Sequence, residues 1–147
     1  MAFISVTRLR IRSIRFLPAF ALDAWRTKRQ AARAEGFLGG SLLGGRGRAF
    51  WTMTAWDGEA SMRAYMTGGA HRTAMPRLMH WCDEASVTHW IEPGEALPSW
   101  TEAVRRMRAE GRISKVRHPS PRHADMSFDD PRLTGTAIPI RPAAGRV

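Results

Sequence analysis

The residue best suited to chemistry in this sequence is a histidine beside a pair of glycines. His71 follows Gly68 and Gly69, and glycine lets a ligand approach the backbone closely. Because an imidazole titrates near neutral pH and also binds iron, His71 could shuttle a proton or hold the iron of a haem. The neighbouring Arg72 could pair with a substrate carboxylate. The simpler alternatives are a histidine that packs at a helix break and an arginine that faces solvent.

Other familiar catalytic and metal-binding patterns are absent from the sequence. The five histidines never fall four residues apart on one predicted helix, so no zinc-binding pair of that kind forms. The single cysteine, Cys82, excludes an internal disulfide framework and a thiolate zinc site, and it fits a reducing compartment. No Gly-x-Ser-x-Gly segment occurs, which argues against a serine hydrolase of the α/β type.

Length and charge point to one small basic domain. The 147 residues are 44% hydrophobic, which is enough for an ordinary core, and they carry a net charge of +10. Such a charge attracts anions. Only Lys28 and Lys115 are lysines, however, and a GC-rich genome would also produce this arginine excess. No apolar segment is long enough for a membrane span or a signal peptide, so we expect a soluble cytoplasmic protein without a membrane partner.

Apolar periodicity divides the chain into four strands and three helices. We expect the second helix to break or kink at Gly68–Gly69 and at Pro76, because both residue types weaken helices. Ser99 and Glu102 form a capping box for the third helix. The predicted strands cover residues 3–11, 37–45, 48–56 and 86–92, and the predicted helices cover 18–35, 57–82 and 99–111.

This β-α-β-β-α-β order is that of the α+β ferredoxin-like fold, an antiparallel sheet with two helices on one face. We place the folded domain, with its C-terminal helix, at residues 1–111. Residues 112–147 contain five of the nine prolines and little apolar periodicity, which predicts a Pro/Arg-rich extended tail.

The second face of such a sheet is not covered by the two helices, and we expect a ligand or a partner subunit to cover it. On the third strand this face would display one of two alternating sets, either Trp51, Met53 and Ala55 or Phe50, Thr52, Thr54 and Trp56. The second set mixes aromatic and hydroxyl side chains. On the fourth strand the alternating residues Ser86, Thr88 and Trp90 show the same mixture.

Residues 36–43 and 50–90 resemble a family of small bacterial proteins related to spheroidene monooxygenase and the antibiotic biosynthesis monooxygenases. The resemblance covers roughly residues 3–92, and its most distinctive segments are SMRAYM (61–66) and GAHRTAMP (69–76). It implies a dimeric α+β barrel, in which the sheets of two copies pack face to face, and therefore a homodimer. Many members of this group have no assigned activity.

The resemblance also implies which residues line the lumen. Cofactor-free members use an asparagine on the first strand and a tryptophan on the second helix; this chain has no asparagine, and Tyr65 aligns with the tryptophan. Haem-degrading members place an axial histidine further along that helix, at the position of Met75. His71 lies four residues earlier, which is about one helical turn. His71 and Tyr65 are therefore the candidate catalytic pair.

We accordingly expect a monooxygenase-like protein that binds an apolar small molecule, aromatic or polyene-like, between the sheet and the second helix and supports its oxidation by oxygen. Because the chain lacks the asparagine of the cofactor-free members, the resemblance favours haem held by His71 as the cofactor, and no cofactor is the alternative. The candidate substrate-binding residues are Phe50, Thr52, Thr54, Trp56, Thr88, Trp90 and Arg72.

Two other functions remain open on the sequence. The same element order builds the RNA recognition motif, and residues 46–53 match four of the eight positions of its third-strand signature. Against nucleic acid, Arg48 replaces a base-stacking aromatic residue, and the second helix is too long for that motif. The third possibility is a barrel that binds a ligand without catalysis.

Overall fold

A computed structural model describes residues 1–44, 47–133 and 137–143. Within these residues a short 3-10 helix over Ile14–Phe16 precedes the first α-helix. The strands are β1 (Ala2–Ile11), β2 (Phe37–Gly44), β3 (Ala49–Trp56), β4 (Cys82–Glu92), β5 (Arg112–Ile113) and β6 (Ile138–Ile140). The helices are α1 (Leu17–Arg33), α2 (Glu59–Met66), α3 (Gly69–Trp81) and α4 (Trp100–Glu110).

The strands form one sheet in the order β5-β4-β1-β3-β2-β6, and all paired neighbours are antiparallel. The four inner strands have the order and connections of the ferredoxin-like fold, so the predicted α+β class is confirmed. The polypeptide after α4 contributes β5 and β6, which flank the sheet on its two sides.

Side-chain alternation divides the residues of the sheet between two faces. On β1, Phe3, Ser5, Thr7 and Leu9 face helices α1 to α3, whereas Ile4 and Val6 face α4. The register extends this division to β4, because Ile4 lies opposite Trp90 and Val6 lies opposite Thr88. Trp90 and Thr88 therefore face α4. The expectation that they share a face with Thr52 and Thr54 of β3 is corrected here.

The chain itself covers the face that the sequence predicted to be open. Trp51 and Met53 pack under Met107 of α4 and under Phe128, which comes from the segment after α4. On the opposite face Trp56 has no exposed surface. Other parts of the same chain therefore pack against Phe50, Trp56 and Trp90. These side chains no longer argue for a partner subunit. The homodimer stays a prediction, which light scattering tests.

The predicted break in the second helix is confirmed at the glycine pair. Helix α2 ends at Met66, Gly68 has extended backbone, and α3 begins at Gly69. Gly69 has a φ of 52°, in the left-handed region that glycine adopts readily. Pro76 lies inside α3 and does not end it.

Strand β4 begins four residues before its predicted start. Asp83 and Glu84 interrupt the apolar alternation in the sequence, but both carboxylates have partners on β1. Arg8 donates to Glu84 at 2.7 Å in a buried ion pair, and Arg10 bonds to Asp83. These pairs let two acidic residues lie within the sheet.

Part of the predicted tail packs on the domain. Phe128 is buried against the ring of Trp51, with centroids 5.4 Å apart, and Ile140 of β6 is buried in the core below α1. The predicted domain boundary after Gly111 therefore separates edge strands β5 and β6 from the strands with which they pair. Within the part of the chain that the structure describes, no helix is long and apolar enough to cross a membrane.

Candidate functional site

A cavity of about 250 Å³ lies between the sheet and helices α1 to α3. Its walls are mostly apolar, with a few hydroxyl and charged groups among them, as is usual for sites that bind small molecules. The floor comes from the inner strands, including Thr7, Thr52 and Thr54, and the roof includes Tyr65 and His71. An apolar cavity of ~150 Å³ holds benzene, so this one has room for a small aromatic molecule.

Four of the predicted site residues form a continuous row beside the cavity. The Trp56 indole N–H donates to Thr54 Oγ1 at 2.9 Å. The ring of Tyr65 lies 5.1 Å from Trp56 and 4.9 Å from His71, measured between ring centroids. The structure therefore brings the candidate catalytic pair, His71 and Tyr65, into direct contact.

Gln30 on α1 positions the junction between α2 and α3. Its Oε1 accepts a hydrogen bond from the backbone N–H of His71 at 2.8 Å. Its Nε2 donates to the carbonyls of Tyr65 and Gly68, each at 2.9 Å. A Cβ on Gly69 would lie 3.1 Å from the Gln30 side chain, which is another reason for glycine there. One amide therefore satisfies backbone groups on both sides of the break.

The surroundings of His71 favour a neutral imidazole with one defined tautomer. Burial lowers the pKa of His71 from its ordinary value of 6.5, and the hydrogen bond with the Met66 carbonyl opposes this shift. Because a carbonyl can only accept, Nδ1, which lies 3.1 Å from it, must carry the proton. Nε2 then keeps its lone pair and can accept a proton from a ligand.

Tyr65 stays protonated in these surroundings. Burial raises its pKa to about 12, although an interaction with the Thr27 side chain opposes the rise. The Tyr65 hydroxyl donates to the Thr27 carbonyl at 3.3 Å. Tyr65 is thus an aromatic wall with a neutral hydroxyl, and it does not act as a base near neutral pH.

The opposite wall of the cavity contains a second histidine, His89 on β4. Its ring lies 5.3 Å from the ring of Phe3, and its Nε2 is buried without a hydrogen-bond partner among the described residues. Burial lowers the pKa of His89, and the positive charge of Arg112 lowers it further. Sequence analysis did not single out His89, because the face that it occupies depends on the register of β4 with β1, where His89 lies opposite Ser5.

Five of the seven predicted substrate-binding residues do not line the cavity themselves. Thr88 and Trp90 lie on the α4 face, where the guanidinium of Arg106 is 5.0 Å from the Trp90 ring centroid. Arg72 is exposed on α3. Phe50 lies on the cavity side of the sheet but packs against Phe20 of α1, with ring centroids 4.9 Å apart. Trp56 contributes through its contacts with Thr54 and Tyr65.

The volume of the cavity does not fit haem. About 250 Å³ is below the range of about 300–1,000 Å³ that holds drug-sized ligands, and a tetrapyrrole needs more room than most of them. His71 offers an imidazole nitrogen of the kind that binds iron, but α3 and the sheet do not enclose a macrocycle. Among the described residues no group of three or more His, Cys, Asp or Glu side chains could hold a metal ion.

The RNA-binding alternative requires an open sheet face with stacking aromatic residues. Within the described residues both faces are covered, and Phe50 and Trp51 pack against helices on opposite sides. Arg46, the first residue of the matching segment, lies outside the described residues. The covered faces remove the stacking platform on which that alternative depended.

Several solved structures are similar to this fold. SnoaB, a cofactor-independent oxygenase from Streptomyces nogalater, is 19% identical; the match covers 67% of this chain and 98% of that chain, with a TM-score of 0.53. A conserved protein from Methanosarcina mazei is 12% identical, with 63% and 93% covered and a TM-score of 0.56. A protein of unknown function from Nitrosomonas europaea is 16% identical, with 67% and 95% covered and a TM-score of 0.54. These likenesses support a monooxygenase-like fold.

No curated protein sequence matches the chain. One family model does match, over residues 18–114, which span helices α1 to α4 and strands β2 to β5. The chain therefore belongs to the family described as a domain of unknown function, DUF3291.

Proposed function

We propose that the cavity binds a small phenolic or enolic aromatic molecule and that the protein catalyses its oxidation by molecular oxygen without a bound cofactor. The observation that carries this proposal is the state of His71. Its Nδ1 proton is held by the Met66 carbonyl, and its Nε2 is free to accept a proton beside an apolar cavity. A base of this kind matches what the reaction needs, which is removal of an acidic proton from the ligand.

The reaction balances without an external reductant. For a naphthol, Nε2 of His71 accepts the hydroxyl proton, and the electron-rich ring carbon beside the oxygen binds O₂. The O–O bond then breaks, one oxygen atom stays on the ring as a second carbonyl, and the other leaves as water with the two hydrogens that the substrate loses. The substrate itself is oxidised to a quinone and supplies all the electrons.

The remaining walls are suited to hold such a ring. Tyr65 and Met62 provide apolar and aromatic surface, and the ring of Trp56 supports Tyr65 from behind. Thr52 and Thr54 place hydroxyl groups on the floor, where they can orient a polar substituent. The fold relationship to a cofactor-independent oxygenase is consistent with this chemistry.

The test uses 2-naphthol as the probe. We expect the purified protein to quench 2-naphthol fluorescence saturably and to consume one O₂ for each 1,2-naphthoquinone formed. His71→Gln should keep the binding and lose most of the oxygen uptake, because glutamine cannot accept the proton. His118→Gln is the matched control, since His118 is exposed and does not line the cavity.

Each other outcome has a definite meaning. Binding without oxygen uptake in the unmodified protein would overturn the oxygenase and favour the non-catalytic ligand-binding alternative. Oxygen uptake that His71→Gln leaves unchanged would remove His71 as the base. If 2-naphthol does not bind, the proposed ligand class is wrong.

A further inference from the structure

The charged side chains that line the cavity are mostly cations. Lys28, Arg112 and Lys115 have no ion-pair partner among the described residues. The one carboxylate of the described lining, Asp23, is paired with Arg77 through Oδ1 at 3.0 Å, while its buried Oδ2 has no hydrogen-bond partner among the described residues. The described lining therefore carries an excess of positive charge that the protein itself does not neutralise.

The register of the edge strand explains why Arg112 belongs to the cavity. Arg112 lies opposite Val87 on β4, and the backbone N–H of Ser114 donates to the Ala85 carbonyl at 2.9 Å. Val87, Ala85 and His89 alternate on the cavity face of β4, so Arg112 and Ser114 face the same side. The positive charge of Arg112 reaches His89, whose pKa it lowers after the larger effect of burial.

Arg112 and Lys115 also mark where the cavity opens. Both residues are exposed and both line the cavity, so they lie at its mouth along the β5 side of the sheet. Glu59, a carboxylate whose charge also reaches His89, accepts a hydrogen bond from Arg63 at 3.0 Å and is thereby occupied. An anion at this mouth would meet two free cations and would still touch solvent.

We propose that this mouth is an anion subsite, in which Arg112 and Lys115 bind the carboxylate of an aromatic acid whose ring occupies the cavity. The inference rests on the proposed function and adds the substrate class, a hydroxylated aromatic carboxylate. A guanidinium can bind a carboxylate through two parallel hydrogen bonds, which fixes orientation as well as charge. With its carboxylate held at the mouth, the ring points its far end toward the interior of the cavity.

The experiment compares two probes that differ by one carboxylate, 6-hydroxy-2-naphthoate and 2-naphthol. We expect the acid to bind the unmodified protein about tenfold more tightly than the naphthol at low salt, with an advantage that shrinks as salt rises. Arg112→Gln should remove most of this advantage, so that the two probes bind the variant with similar affinity. Arg112→Lys should keep part of it, and Arg26→Gln, which removes an exposed charge away from the cavity, should keep all of it.

The outcomes separate this inference from the proposed function. If both probes bind equally, or if Arg112→Gln weakens both to the same extent, the anion subsite is wrong. The oxygenase then stands as long as the unmodified protein oxidises both probes. If the acid binds more tightly through Arg112 but neither probe consumes oxygen, the subsite stands and the oxygenase is wrong. If neither probe binds, both are overturned.

Discussion

The backbone N–H of His71 donates to the side chain of Gln30, 41 residues earlier, at 2.8 Å. This bond ties the first turn of α3 to the last turn of α1 and thereby sets the position of the imidazole over the cavity. The same amide donates to the carbonyls of Tyr65 and Gly68 at the end of α2. Gln30 thus positions both His71 and Tyr65 through their backbones, and its hydrogen bonds do not involve either ring.

Replacing Gln30 should loosen this arrangement. Gln30→Ala removes three hydrogen bonds from partly buried backbone groups, and we expect the free energy of unfolding to fall by about 1–3 kcal/mol. Urea denaturation measures the loss. Gln30→Glu is a useful comparison, because a carboxylate can still accept from the His71 N–H but cannot donate to the two carbonyls. An unchanged stability in both variants would contradict the positioning role.

Acidification should destabilise the protein partly through His71. The pKa of His71 is lowered from 6.5 in the folded state, so the unfolded chain binds a proton more readily than the native one. The contribution of the neutral imidazole to the free energy of unfolding is complete above pH 6.5. It is lost as the pH falls through the lowered pKa that His71 has in the folded protein. Urea midpoints at about pH 8 and about pH 5 should therefore differ less in His71→Gln than in the unmodified protein. Equal pH dependence in the two proteins would contradict the neutral, buried imidazole.

The single tyrosine of the chain gives a direct measurement of burial at the site. Burial raises the pKa of Tyr65 to about 12, so its phenolate absorbance should appear near that pH and not near the ordinary value of 10.0. The unfolded chain ionises first as the pH rises, and the protein therefore loses stability between these two values. Spectrophotometric titration in water and in concentrated denaturant provides the comparison. A native midpoint near 10 would mean that the cavity side of α2 is open to water.

Removal of the charge at the cavity mouth should change His89. Arg112 lowers the pKa of His89, in addition to the larger lowering by burial, so Arg112→Gln should raise it. Nuclear magnetic resonance titration of the imidazole resonances follows this change residue by residue. Arg26→Gln removes the same charge from the outer side of α1 and should leave His89 unaffected. A His89 pKa that stays the same or falls in Arg112→Gln would place the guanidinium elsewhere.

Haemin should not bind in the cavity. The volume of about 250 Å³ is too small for a tetrapyrrole, so we expect titration to give no saturable Soret band, and His71→Ala to behave like the unmodified protein. A saturable band that is lost in His71→Ala would contradict this and would restore the haem-linked oxygenase.

Local signals in the sequence predicted most of the fold. The N-cap at Ser99 forms, with its hydroxyl accepting from the Glu102 N–H at 3.1 Å, while the Glu102 carboxylate bonds to Arg105 and Arg106 and does not complete the predicted box. The helix break at Gly68 is present. The face that Trp90 occupies could not be predicted, because it depends on register with Ile4 across a neighbouring strand. The acidic start of β4 was missed for a similar reason, since Glu84 is stabilised by Arg8, 76 residues away in sequence.

The candidate site was predicted in part. His71 and Thr54 were singled out by type and spacing and Tyr65 by the family resemblance, and the structure places all three around one cavity. Gln30 and Arg112 were not singled out, because neither residue belongs to a motif that could be recognised in the sequence. Gln30 is a single amide on a helix, and Arg112 is a single arginine that follows a helix. Their roles come from long-range pairing: Gln30 through the contact of α1 with α3, and Arg112 through an edge strand of two residues.

Strands β5 and β6 also determine when the cavity can form during synthesis. Arg112 and Ile140 both line it, and both are synthesised after the four inner strands and the four helices. Until then β4 and β2 present bare edges, which can pair with strands of other chains. A nascent chain that has completed only α4 would thus be exposed to aggregation and would lack a finished binding site. Ligand binding can therefore stabilise the molecule only after β5 and β6 have paired with the sheet, which makes these two strands a checkpoint for productive folding.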